Sequence, residues 1–143
     1  MRPGSLSARL VLRSAAVVAG SSVTARVVID NETGHAVNFA DCDGGAYAVE
    51  LWAGGYRPGA AWPACLGHDT IPAGQSTRVV RFMAAYGSCV PQRPVPPGAR
   101  ACLPDGGIPP LPPGSYQAVT LPADPGMLPV PARVTVRLVS AAR

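Results

Sequence analysis

The sequence predicts an all-β protein, an antiparallel two-sheet sandwich of seven to eight short strands. Apolar and polar residues alternate over short segments, and no long window shows an uninterrupted helical period. Turn formers are abundant, with 16 Gly and 17 Pro among 143 residues. Since 48% of the residues are hydrophobic, we expect a folded single domain over residues 1–143, with its core at about 6–140.

Seven segments are predicted as strands. In chain order they are residues 8–18, 22–30, 35–40, 47–53, 76–83, 115–121 and 132–139. The alternation is clearest at 22–30 and at 132–139, which is typical of strands buried on one face. The residues that this alternation places in the core are Val27, Ile29, Val49, Leu51, Val134, Val136 and Leu138.

Gly, Asn and Pro mark the connections between these strands. The sequence Asn31-Glu32-Thr33-Gly34 predicts a turn, because Asn bonds its own backbone and Gly accepts a positive φ. We expect this turn to join 22–30 and 35–40 as a hairpin. Gly54-Gly55 ends the following strand, after which residues 56–69 are expected to form a loop.

A Pro-rich loop is predicted at residues 91–113, where nine of 23 residues are Pro. Pro lacks the backbone N–H that helices and central strands require, so neither element is expected there. Pro109-Pro110-Leu111-Pro112-Pro113 favours a polyproline II segment. We interpret it chiefly as a stiff connector that packs on its own domain.

The four cysteines, Cys42, Cys65, Cys89 and Cys102, lack the close pairs that usually provide zinc ligands. An even number of widely spaced cysteines in a small domain predicts two disulfides and an oxidising, extracytoplasmic compartment. Of three possible connectivities we expect Cys42–Cys65 and Cys89–Cys102. The second bond would restrain the long loop, and the first follows by elimination.

The charge pattern excludes several classes of function. All twelve basic residues are Arg, scattered along the chain, and with eight acidic residues they give a formal net charge of +4. Because Lys is absent, Schiff-base chemistry and P-loop phosphate binding lack their key residue. We expect no nucleic-acid partner, since no basic stripe is present. The apolar run at 14–20 is short for a signal peptide and no segment is long enough to span a membrane.

No constellation of catalytic or metal-binding residues is found. Gly74-Gln75-Ser76-Thr77-Arg78 lacks the second Gly of a nucleophile elbow. The two imidazoles, His35 and His68, have simple explanations as a strand start and a loop residue. Asp41-Cys42-Asp43-Gly44 resembles the opening of a calcium loop, but the later ligand positions do not match. We therefore expect a protein that is not an enzyme and holds no metal or cofactor.

Two features suggest contacts with a partner. Half of the eight aromatic residues lie within residues 47–62, and aromatic side chains on loops often anchor binding, although core packing also explains them. The second feature is the polyproline segment. The candidate contact residues are Tyr56, Arg57, Trp62, Pro110 and Leu111.

Three short pieces of sequence carry a resemblance to a known family. They are residues 19–34, Ile71-Pro-Ala-Gly-Gln75 and Pro112-Pro-Gly-Ser-Tyr116. Their order is similar to that in bacterial extracytoplasmic Ig-like domains, and distantly to BsuPI-type proteinase inhibitors; the Arg-rich, Lys-free composition resembles that of actinobacterial proteins. The resemblance implies an Ig-like sandwich that binds a protein or cell-envelope partner, or is an accessory module of a larger chain. The alternative it implies is a proteinase inhibitor that presents a rigid loop.

Overall fold

The residues that the structure describes form nine β-strands and contain no helix. The computed structural model describes residues 4–42, 45–59 and 65–141. In chain order the strands are β1 (Leu6–Val11), β2 (Ala16–Val18), β3 (Ser22–Asn31), β4 (Val37–Asp41), β5 (Tyr47–Trp52), β6 (Gly67–Ile71), β7 (Gly74–Met83), β8 (Gly114–Pro122) and β9 (Val134–Val139). The all-β prediction is confirmed.

The strands are distributed over three sheets. One has the order β1-β3-β7, a second has the order β2-β9-β8-β5, and β4 pairs with β6 in the third. All pairs are antiparallel except β2 with β9, which is parallel. The strands β5 and β7 therefore lie at the edges of the two larger sheets.

Inward-facing side chains of both larger sheets meet in one apolar cluster. Of the seven predicted core residues, six are buried: Val27, Ile29, Val49, Leu51, Val136 and Leu138. Val134 is half-buried and packs against the same cluster. The strand registers predicted at 22–30 and 47–53 are thus confirmed, because a shift of one residue would turn these side chains outward.

Three expected connections differ from the structure. The segment 8–18 is two strands, β1 and β2, which belong to different sheets. Residues 35–40 do not form a hairpin with β3, because β1 and β7 already occupy both edges of β3. The expected loop at 56–69 contains the start of β6, which pairs with β4. The β6 residues from Gly67 to Thr70 are exposed, so no apolar alternation marks this strand.

The predicted disulfides, Cys42–Cys65 and Cys89–Cys102, are both present, and no described cysteine is free. The first bond follows β4 and precedes β6, next to the pairing of these strands. The second closes a ring within the Pro-rich segment. Two structural disulfides are typical of proteins in an oxidising environment.

The turn predicted at 31–34 is held by the side chain of Asn31. Its Oδ1 accepts hydrogen bonds from the N–H and Oγ1 of Thr33, at 3.0 and 2.6 Å. Its Nδ2 donates to the carbonyl oxygens of His35, Ile71 and Pro72, at 2.9, 3.3 and 3.1 Å. Asn31 therefore connects the ends of three strands, β3, β6 and β7, in addition to shaping its own turn.

Candidate binding groove

A groove with a volume of about 810 Å³ runs between the edges of β5 and β7. Four consecutive residues of β5, Ala48–Leu51, line it, as do three of β7, Arg81–Met83. Successive side chains of a strand point to opposite faces, so only the edge of a strand presents consecutive residues to one cavity. We call this cavity the edge groove.

The groove-facing edge of β5 has unpaired backbone groups. Ala123 N–H donates to Ala46 O at 2.8 Å, so Ala46 faces β8. Because alternate residues of an antiparallel strand face the partner strand, Ala48, Glu50 and Trp52 bond to β8. The N–H and C=O groups of Tyr47, Val49 and Leu51 consequently point away from β8, and no described residue bonds to them.

A short hairpin ends this edge. Ala53 and Tyr56 exchange two backbone hydrogen bonds, of 3.0 and 2.5 Å, across the Gly54-Gly55 turn. The Tyr56 ring then lies against that of Tyr86 in an edge-to-face arrangement, with 5.2 Å between centroids. The Gly87 N–H donates to the Tyr56 hydroxyl oxygen at 2.7 Å, which fixes the two aromatic side chains as one wall of the edge groove.

The wall also depends on the absence of a side chain at position 87. A Cβ on Gly87 would lie 3.2 Å from Cβ of Pro58 and 3.7 Å from the Tyr56 hydroxyl oxygen. The first distance is shorter than ordinary van der Waals contact. A larger residue would therefore push apart the segments around Tyr56 and Gly87.

The ring closed by Cys89–Cys102 forms another side of the groove. Val90 N–H donates to Arg100 O at 2.8 Å, and Cys102 N–H donates to Val90 O at 3.1 Å. These bonds tie both ends of the ring together beside the disulfide. Most of the ring, residues 91–94 and 96–100, is exposed.

Two guanidinium groups lie along the groove. Arg81 is exposed on β7, and the Arg100 guanidinium carbon lies 3.5 Å from the centroid of the Tyr86 ring. The ion pairs found among the described residues are Arg9–Asp30 and Arg78–Asp69, so neither arginine has a carboxylate partner there. The Arg78 hydrogen bond lowers the pKa of Asp69.

Glu50, the one acidic residue among the described residues that line the groove, has a different environment. Its Oε1 accepts a hydrogen bond from Nε1 of Trp52 at 2.8 Å, and the residue is only 7% exposed. Its Oε2 is buried without a partner among the described residues. The Trp52 ring in turn contacts the guanidinium groups of Arg57 and Arg133, at 5.1 and 4.8 Å from its centroid.

The Pro-rich segment is anchored at its end by Tyr116 of β8. The Tyr116 hydroxyl donates to Pro112 O at 2.8 Å. Burial raises the pKa of Tyr116, and the phenol groups of Tyr86 and Tyr56 raise it further. The Tyr86 N–H donates to Pro109 O at 3.1 Å, so the end of the Pro-rich segment lies close to the aromatic wall of the groove.

The five candidate contact residues are found in different environments. Tyr56 lines the edge groove, and Arg57 is exposed and stacked on Trp52. Trp62 lies outside the described residues. Pro110 is exposed, but Leu111 is only 2% exposed and packs in the core, so its side chain is not offered to a partner.

Sequence patterns did not single out Tyr86, Arg81, Arg100 or the edge of β5. The strand Tyr47–Trp52 has a recognisable alternation, but its neighbours in the sheet decide which edge is open. Arg81 and Arg100 are 19 positions apart in sequence. They line the same groove because the disulfide ring places the Arg100 guanidinium over Tyr86, shortly after the end of β7. The predicted Cys89–Cys102 disulfide was the sequence feature that pointed to this region.

The described residues form no metal centre. Among them, no group of three or more His, Cys, Asp or Glu side chains is placed to hold a metal ion. His35 and His68 are both exposed, and Nδ1 of His35 lies 3.0 Å from Oγ1 of Thr33. No helix in the described part of the chain is long and apolar enough to cross a membrane.

Comparisons with known proteins assign no family. Neither a protein-family model nor a curated protein matches the chain. Among solved structures it is similar to a β-glucosidase from Erythrobacter marinus, with a TM-score of 0.46 and 14% sequence identity. The match covers 94% of this chain and 15% of that chain, and nothing about the activity of this chain follows from it.

Proposed function

We propose that this protein is a non-enzymatic, Ig-like domain that acts outside the cytoplasm by binding a protein or cell-envelope partner at the edge groove. It serves as a binding or accessory module. The observation that supports this most strongly is the groove itself. It brings together a strand edge to which no described residue bonds, an aromatic wall, and two guanidinium groups without a carboxylate partner among the described residues.

The order of strands supports the Ig-like assignment. In an Ig fold, strands A, B and E belong to one sheet and strands C, F and G to the other. Assigning β1, β3 and β7 as A, B and E, and β5, β8 and β9 as C, F and G, reproduces that division. The separate β4-β6 sheet takes the place of the usual strand D.

Binding rather than catalysis is favoured by the groups that line the groove. The edge groove offers backbone donors and acceptors, phenol groups and guanidinium groups, which hold a ligand by hydrogen bonds and charge. Its carboxylate, Glu50, already accepts a hydrogen bond from Trp52. Neither histidine is among the residues that line the groove.

The test compares binding of fluorescently labelled, disulfide-intact protein to a cell-envelope fraction of the source organism. The double variant Arg81→Glu, Arg100→Glu places two negative charges along the groove and should abolish saturable binding. Arg137→Glu, an exposed residue of β9 outside the groove, is the matched control and should bind like the wild type. Equal binding by all three proteins would show that the groove is not the site.

A second candidate function, proteinase inhibition, is favoured by the exposed Cys89–Cys102 ring. A ring restrained by a disulfide and by two backbone bonds at Val90 loses little conformational entropy on docking into a protease cleft. The test is saturable inhibition across a panel of proteases. Inhibition that persists after selective reduction of Cys89–Cys102 would not come from a rigid ring.

A further inference from the structure

We propose that the edge groove binds an acidic peptide in an extended conformation, which adds as a strand to the open edge of β5. This inference rests on the proposed function, because it names the class of partner and its mode of binding at the same groove. Strand addition of this kind uses main-chain hydrogen bonds for affinity and side-chain contacts for specificity.

The pattern of unpaired backbone groups selects a peptide. Tyr47, Val49 and Leu51 each present an N–H donor and a C=O acceptor on the groove side, repeated every second residue. The repeat distance is about 6.8 Å, twice the rise of one residue. An extended polypeptide carries donors and acceptors with the same repeat, whereas a glycan or a phosphodiester chain does not. Three such positions match a segment of about five residues.

The described residues do not protect the same edge against pairing. Natural sheets commonly guard edge strands with charged side chains, proline or bulges. On β5 the residues that face the groove edge are apolar and belong to the core, and its acidic residue, Glu50, faces β8 with its backbone. The opposite edge, β7, carries the exposed charge of Arg81. Strand addition is therefore expected on β5 rather than on β7.

Charge selects an acidic peptide. Arg81 and Arg100 lie along the groove without carboxylate partners among the described residues, and Arg100 is held over the Tyr86 ring. A guanidinium fixed on an aromatic face keeps its N–H donors free for a carboxylate. Since the carboxylate of Glu50 is buried and bound by Trp52, the accessible charge along the groove is positive.

The experiment selects random peptides of about eight residues, displayed on phage, against the immobilised, disulfide-intact chain. Recovered peptides should be enriched in Asp and Glu over Lys and Arg. A synthetic peptide from this set should bind the double variant Arg81→Gln, Arg100→Gln at least about tenfold more weakly than the wild type. Its affinity for Arg137→Gln, the control, should be unchanged. Recovery of no peptides, or of basic peptides, would overturn the proposal.

Backbone methylation separates strand addition from charge attraction alone. Two versions of the peptide are compared, one N-methylated in the odd phase (odd-numbered residues) and one in the even phase (even-numbered residues). One version should lose binding and the other should keep it, because only one set of N–H groups faces β5. In the complex, the amides of Val49 and Leu51 should become protected from hydrogen exchange. Equal effects of both methylation phases, or equally tight binding of an acidic oligonucleotide, would contradict strand addition.

The two proposals fail in different ways. In the first case, the Arg81→Glu, Arg100→Glu variant loses envelope binding but the selection yields no acidic peptide. The groove would then remain the proposed binding site, and the proposal of an acidic peptide ligand would be refuted. In the second case, a peptide protects Val49 and Leu51 but the variant binds the envelope fraction like the wild type. The proposed function would then be refuted, and strand addition at β5 would stand.

Discussion

Single residues carry several of the strongest constraints in this protein, and Asn31 is the clearest case. It is 2% exposed and makes five hydrogen bonds that join its own turn to the ends of β6 and β7. The sequence predicted the turn from Asn31 and Gly34. It did not predict the bonds to Ile71 and Pro72, because these residues are 40 or more positions away.

Asn31→Ala is expected to lower the free energy of unfolding by about 2–4 kcal/mol, since it leaves more than one buried polar group unpaired. Asn31→Asp should cost at least as much, because a carboxylate would face three carbonyl oxygens. Asn38→Ala, at an exposed position of β4, is the control and should change stability by less than about 0.5 kcal/mol. Urea denaturation measures all three. A neutral Asn31→Ala would contradict the assigned bonds.

Tyr47 gives a prediction about pH. Burial raises its pKa to about 12, although the charge of Arg78 acts in the opposite direction, and its hydroxyl donates to Pro129 O at 2.7 Å. The unfolded chain loses the phenol proton near pH 10 while the folded protein keeps it, so Tyr47 should reduce stability progressively between about pH 10 and 12. Below pH 10 the phenol keeps its proton in both states, so the contribution of Tyr47 to stability is fully present.

The measurement is the free energy of unfolding at pH 9 and at pH 11.5 for the wild type and for Tyr47→Phe. The wild type should lose more stability over this interval than Tyr47→Phe does, because the variant lacks the titrating group. Tyr116→Phe retains Tyr47 but removes another phenol whose pKa is raised by burial, so it should also lose less stability than the wild type. Parallel losses in the wild type and Tyr47→Phe would show that Tyr47 does not hold its proton in this way.

At the scale of elements, alternation predicted which side chains a strand buries but not which strand it pairs with. The strand β3 was expected from its pattern, and it is central in its sheet, between β1 and β7. The strand β6 has four exposed residues followed by Ile71, and its pairing with β4 depends on contacts distant in sequence. Residues 8–18 contain no Gly or Pro to mark the change of sheet between β1 and β2.

Ile29 tests the register of β3. Its side chain is 0% exposed, and Ile29→Ala should cost about 2–5 kcal/mol in stability. Val79→Ala on β7 removes an apolar side chain that is 62% exposed, and should change stability by less than about 0.5 kcal/mol. Chemical denaturation of the two variants provides the comparison. Similar costs for both substitutions would mean that the assigned faces are wrong.

The ring at Cys89–Cys102 is expected to stabilise the fold mainly through the unfolded chain. Replacing both residues with Ala should lower the free energy of unfolding by about 3 kcal/mol in the chain-entropy model. The Cys42–Cys65 bond closes a longer loop, with a separation of 23 positions against 13. Its removal should therefore lower the free energy of unfolding slightly more. Peptide mapping without reduction checks the pairing, and a peptide linking Cys42 to Cys89 would refute it.

At the scale of the whole molecule, the edge groove is formed by segments that are distant in sequence. The sequence predicted the strands that form both walls and the disulfide that restrains the ring, and it named Tyr56. It could not predict the open edge, which exists because β5 and β7 are the last strands of their sheets. Leu111 was named with Pro110 as a candidate contact residue, but adjacent residues of an extended segment face opposite ways and Leu111 enters the core.

Amide hydrogen exchange of the free protein shows whether the edge of β5 is open. The amides of Ala48, Glu50 and Trp52 bond to β8 and should exchange slowly. Those of Tyr47, Val49 and Leu51 face the groove and should exchange much faster, which gives an alternating pattern along one strand. Slow exchange at all six positions would show that this edge is already paired and would contradict the account.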